Sequence, residues 1–86
     1  MNLENKIPKK PLPWCPSKSE VYRIYVKVNQ LSIRDEIVSI MQSHRNKQES
    51  EVKNIRNLLH PEFVKLVKFL GIPQGYYAPE GFFDEP

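Results

Sequence analysis

Proline and glycine divide this chain more sharply than any other feature. All eight prolines stand at or beyond two limits: Pro8, Pro11, Pro13 and Pro16 on one side, Pro61, Pro73, Pro79 and Pro86 on the other. The three glycines, Gly71, Gly75 and Gly81, are all late. Residues 17–60 contain neither. Proline fixes φ and withholds a backbone donor, while glycine favours turns. The uninterrupted stretch therefore predicts regular structure, and the flanks predict arms. Three parts follow: a Pro-rich basic arm over 1–16, a helical domain over 17–71 and an aromatic tail over 72–86. The expected fold class is all-α, a small domain of three to four helices with a Pro-rich N-terminal arm and an aromatic, Pro- and Gly-rich C-terminal tail.

Eighty-six residues make one small domain. A chain this short buries only about 60% of its unfolded surface, so its core is thin. Hydrophobic residues at 40% and charged residues at 27% mark it as globular rather than disordered. Cys15 is the single cysteine, so no disulfide can close within one chain, and a lone thiol suits a reducing compartment. Oligomerisation is the remaining aid, and a homodimer is expected on that ground. No apolar run approaches the roughly 20 residues of a membrane span, and the first residues lack an apolar signal-peptide core. The expectation is a cytoplasmic protein with no membrane partner.

Within residues 17–60, Ser17-Lys18-Ser19-Glu20 has the spacing of a capping box directly after Pro16. Val21, Ile24, Tyr25, Val28 and Leu31 then follow at helical spacing. A strand competes, because Tyr22, Ile24, Val26 and Val28 alternate with polar or aromatic neighbours. Helix is preferred, since no other segment offers an obvious partner strand and a lone strand is unstable. Ser32 reads as the cap of a second helix, with Asp35 and Glu36 behind it and Ile33, Ile37, Ile40 and Met41 as its apolar stripe. The ten residues Gln42 to Glu51 hold no strong hydrophobe, after which Val52, Ile55, Leu58 and Leu59 resume the stripe. One helix from Ser32 to Leu59 would run roughly 40 Å. A hairpin is preferred, with its loop near Ser43 to Asn46 and a second helix capped at or near Ser50. The last helix starts near Pro61, buries Phe63, Leu66, Val67 and Leu70, and stops at Gly71, with Ile72 placed for a Schellman contact with Val67.

The tail carries a tandem repeat. Ile72-Pro73-Gln74-Gly75-Tyr76-Tyr77 and Ala78-Pro79-Glu80-Gly81-Phe82-Phe83 share one pattern at a period of six. Each copy predicts a type I turn that delivers two rings. Clustered aromatics are typical binding hot spots, so Tyr76, Tyr77, Phe82 and Phe83, with Trp14 of the arm, are the candidate partner-binding residues. The tyrosines are expected to pack internally and the phenylalanines to stand free. In the arm, Lys10, Pro13 and Pro16 match the basic-x-x-Pro-x-x-Pro spacing of SH3 ligands, a match that arises readily in proline-rich arms.

Signs of catalysis are few. Cys15, His44 and His60 match no zinc spacing, and no Gly-rich phosphate loop exists. The pairs Asp35-Glu36 and Glu49/Glu51 fall in helix-capping or solvated settings. No enzyme, cofactor, metal or small-molecule substrate is expected. The net charge of +3 is uneven: Lys6, Lys9, Lys10 and Lys18 oppose Glu4, while the end holds Glu80, Asp84 and Glu85 and no base. The leading expectation is a helical protein-interaction module, an inhibitor or adaptor, whose partner is another protein. The alternative is a basic, helix-turn-helix-like regulator binding DNA or RNA through Arg45, Lys47, Lys53 and Arg56, although a connection of about eight residues exceeds the usual turn of that motif.

Overall fold

The computed structural model describes residues 8–84; Glu4 and Lys6 of the basic arm and Glu85 and Pro86 of the tail lie outside the described residues. The order is β1 (Lys10–Pro11), α1 (Lys18–Ile24), α2 (Gln30–Arg45), α3 (Glu49–Val52), α4 (His60–Leu70) and β2 (Tyr76–Tyr77). The chain is mostly helical but not purely so, because β1 and β2 pair in parallel, Lys10 opposite Tyr76 and Pro11 opposite Tyr77. No helix among the described residues is long and apolar enough to cross a membrane.

Ser17 caps α1 as its sequence predicts, its hydroxyl accepting the Glu20 N–H at 3.1 Å. The helix ends at Ile24, two turns earlier than the apolar spacing through Leu31 implied. Tyr25 turns the chain, and Asn29 begins a new helix. Its side-chain oxygen accepts the N–H groups of Leu31 at 2.8 Å and Ser32 at 3.2 Å. Asn29, not Ser32, is therefore the cap of α2, and Ser32 lies within the first turn. A strong capping residue here outcompetes continuation through the β-branched Val26 and Val28, which favour helix poorly.

Ile33, Ile37, Ile40 and Met41 of α2 are buried against Phe63, Val64, Leu66 and Val67 of α4. The polar decade does contain a reversal. Asn46 takes the left-handed conformation at φ 55°, which asparagine tolerates, and the Lys47 N–H returns to the Gln42 carbonyl at 3.2 Å. The chain does not run on as one long helix. The expected second arm of the hairpin shrinks to the single turn of α3, capped by Gln48 rather than Ser50. Beyond it the chain is extended, and its backbone groups pair with the arm. The Lys18 N–H donates to the Arg56 carbonyl at 2.9 Å, and the Leu58 N–H to the Pro16 carbonyl at 2.8 Å. Val52 and Leu58 are still buried, but Leu59 is exposed. Apart from Leu59 and the half-buried Ile55, that apolar stripe is covered within one chain.

Pro61 lies in the first turn of α4, and Gly71 ends the helix at φ 88°, ψ 168°. That ψ sends the chain out extended, so the expected Schellman turn with Ile72 does not form. Residues 8–16 lie along the body instead of standing off it as an arm: Leu12 and Pro16 are buried and Pro13 half-buried. Of the SH3-like spacing, Pro16 is buried and Pro13 half-buried, while Lys10 is exposed.

Among the described residues, one charge is buried completely. Glu62, at 0% exposure, accepts Arg45 Nε at 2.7 Å, Arg45 Nη2 at 2.9 Å and the Leu59 N–H at 2.7 Å. Burial alone would raise its carboxyl pKa; hydrogen bonds from Arg45 and Leu59 and the attraction of Arg45 and His44 outweigh it and hold the group below the usual carboxylate value. Removing Arg45 would strand a buried charge. Arg45→Ala is expected to cost about 3–5 kcal/mol, read as a lower urea midpoint. Acid should act on the same pair. A carboxyl depressed in the fold contributes its full stability above the unfolded value of about 4.3 and loses it as pH falls through the lower folded value. Urea titrations between neutral pH and pH 3 should show this loss in the native protein and less of it in Arg45→Ala.

Candidate docking surfaces

The tail's repeat is real in three dimensions. The Tyr76 N–H donates to the Pro73 carbonyl at 3.1 Å, and the Phe82 N–H to the Pro79 carbonyl at 2.9 Å. Each turn begins at its proline. Gly75 at φ 87° and Gly81 at φ 82° therefore occupy the third position, where positive φ marks type II rather than type I.

The two copies do different work, and not as expected. The first turn feeds β2, with the Lys10 N–H donating to the Gly75 carbonyl at 3.0 Å and the Leu12 N–H to the Tyr77 carbonyl at 2.9 Å. Tyr76 is half-buried against the core, while Tyr77 is 45% exposed. The second turn drives Phe82 into the core, at 1% exposure, and leaves Phe83 outside. The expectation that both phenylalanines stand free is overturned for Phe82. Its ring meets Phe63 at 5.8 Å, His60 at 4.8 Å and Phe83 at 5.0 Å, each nearly perpendicular, and Trp14 at 5.5 Å. Edge-to-face contacts at these distances are the favoured aromatic geometry. Trp14 stacks at a tilt on His60 at 4.2 Å, yet its residue is 45% exposed. The N-terminal end of α4 thus carries a packed aromatic knot in which Trp14 and Phe83 stay partly exposed.

The other end of α4 holds a surface that the repeat does not announce. An open groove of about 290 Å³ runs between the end of α1 and the segment after α4. Ile24, Tyr25, Val26, Val28, Leu70 and Ile72 provide most of its lining. Val26 is 75% exposed. Ile72 is exposed as well, as are Leu31 and Phe69, which follow and precede the walls along the chain. Tyr25 ties the walls together, its hydroxyl donating to the Gly71 carbonyl at 2.6 Å. Burial pushes the Tyr25 phenol well up, so it stays a donor at physiological pH. The groove escaped sequence reading because Val26 and Val28 were placed inside a continuous helix. Asn29 was the available signal that the helix breaks before it.

The four cations of the nucleic-acid alternative are not equivalent. Arg45 is committed to Glu62 and to the Asn57 carbonyl, at 3.3 Å. Lys53 pairs with Glu49 at 3.3 Å. Lys47 and Arg56 are exposed. The expected second helix, starting at or near Ser50, is helical only to Val52. Lys18 is also drawn inward, its ammonium donating to the Val52 carbonyl at 2.9 Å, and burial, then the nearby Arg45, lower its pKa. No protein-family model matches the chain, and no curated protein or solved structure matches it either.

The two phenylalanines of the second turn separate structural from surface roles. Phe82→Ala should cost about 3–5 kcal/mol by urea unfolding, the usual range for emptying a core aromatic site. Phe83→Ala should cost about 1 kcal/mol or less, and removal of residues 79–86 should destabilise the fold as Phe82→Ala does.

Proposed function

We propose that this chain is a non-enzymatic protein-interaction module, an inhibitor or adaptor, which docks a partner protein on the groove between the C-terminal ends of α1 and α4. One observation carries this reading: a concave, largely apolar groove on which Val26 and Ile72 remain exposed. Exposed apolar residues gathered at a concave site mark interaction surfaces, whereas scattered ones do not. The walls are held by the Tyr25–Gly71 hydrogen bond, so little ordering is required on binding. Trp14, Tyr77 and Phe83, each partly exposed, offer further contact area. The nucleic-acid alternative is less well supported, because Arg45 is internally occupied and the second helix is a single turn.

Charges placed on the groove walls test this reading. Val26→Asp combined with Ile72→Asp should leave the melting temperature nearly unchanged, since both side chains already face water. A purified partner that binds the native chain should lose at least tenfold in affinity for the double variant, about 1.4 kcal/mol. Sedimentation at rising concentration tells whether a second copy of the chain is that partner. Binding to DNA or RNA that falls steeply with salt, and is weakened by Lys53→Gln with Arg56→Gln, would replace this reading with the alternative.

A further inference from the structure

His60 opens α4, and its ring stands between the two flanks of the chain. Nδ1 lies 3.0 Å from the Trp14 carbonyl oxygen, and Nε2 lies 2.7 Å from the Phe82 carbonyl oxygen. Carbonyl oxygens accept hydrogen bonds and never donate them. Two such bonds at once need a proton on each ring nitrogen, and only the imidazolium form carries both. A neutral ring can hold one carbonyl and must turn a lone pair towards the other. The Trp14 ring, 4.2 Å away, is within cation–π range of about 6 Å.

The other charges around the ring leave this argument standing. On α4, Glu62 is matched by Arg45 of α2. On the arm, the Cys15 thiol is exposed. On the tail, Asp84 is exposed and two residues beyond Phe82. The positive end of the α4 dipole opposes a cation at His60, while the two carbonyl oxygens at the ring favour it.

We infer that His60 is a proton-operated clasp, with the imidazolium fastening both the Trp14 segment and the tail, and the neutral ring releasing the Trp14 segment. The released bond is the longer and more exposed one, to Trp14. The shorter bond to Phe82 keeps the remaining proton on Nε2. The clasp is closed on the acid side and opens as pH rises. It concerns the aromatic end of α4, so it stands or falls independently of the groove.

Trp14 is the single tryptophan, which makes the intact chain its own reporter. Its emission should rise and shift to the red along one sigmoid as pH is raised and the ring gives up its second proton. Imidazolium quenching is relieved, and the indole gains water. His44→Gln removes the other histidine and should leave the sigmoid in place. His60→Gln should abolish it, because an amide can hold one carbonyl but cannot gain a proton. Nitrogen-15 spectra of the native chain should show both His60 nitrogens protonated at low pH and Nε2 alone at high pH. A pH-independent Trp14 signal, a sigmoid that survives in His60→Gln, or a ring that is neutral throughout would each overturn the proposal.

Discussion

The fork between Arg45 and Glu62 organises the fold. Glu62 sits in the first turn of α4 and reaches back to cap that helix at Leu59, so its carboxylate belongs to the helix start whether or not Arg45 is present. Arg45, in the last turn of α2, meets both carboxylate oxygens and fixes where α2 ends relative to where α4 begins. The same guanidinium holds the Asn57 carbonyl. Asn57 lies in the extended segment, and the backbone of that segment in turn holds Pro16 and Lys18. From one buried charge the constraint therefore passes to two helices, the connection between them and the entering arm. A paired buried charge adds little net stability over a well-packed apolar pair, but a mispaired one is costly. The fork accordingly selects one arrangement of α2, α4 and their connection over competing ones.

Much of the local structure was legible. Ser17, Pro61 and Gly71 mark helix ends by chemistry that acts within one turn, and the structure uses them so. The apolar stripe of α2 and the buried face of α4 were readable because helical periodicity directly records a buried side. The boundaries that were misread depend on longer-range partners. Ile55 to Leu59 continues a helical stripe on paper, but its backbone is claimed by the arm across forty residues of sequence. Arg45 looks like a surface cation until Glu62, seventeen positions on, takes it inside. Spacing shows which residues can share a face; it does not show that a polar residue has already found its partner.

The candidate sites divide in the same way. The tandem turns were visible because proline and glycine act locally, and both copies fold alike. The fate of Phe82 was not, since that ring is buried by what surrounds it: His60 and Phe63 of α4 and Trp14 of the arm. The groove is a negative shape, left where α1 stops and the chain leaves α4, and no motif encodes it. The ends of α4 thus differ in kind, one filled by rings and the other open and aliphatic.

The parallel pairing of Lys10–Pro11 with Tyr76–Tyr77 has a consequence for how the molecule is made. It joins the two flanks across a loop of roughly 65 residues, and closing so long a loop costs entropy that two short strands cannot recover alone. The helices in between have to be in place first. On a ribosome the arm emerges early, and then waits with Leu12 unburied until its partner strand has been synthesised. Closure of that pair is a non-local step, of the kind that topology makes slow, and before it the chain exposes apolar surface that the finished protein hides.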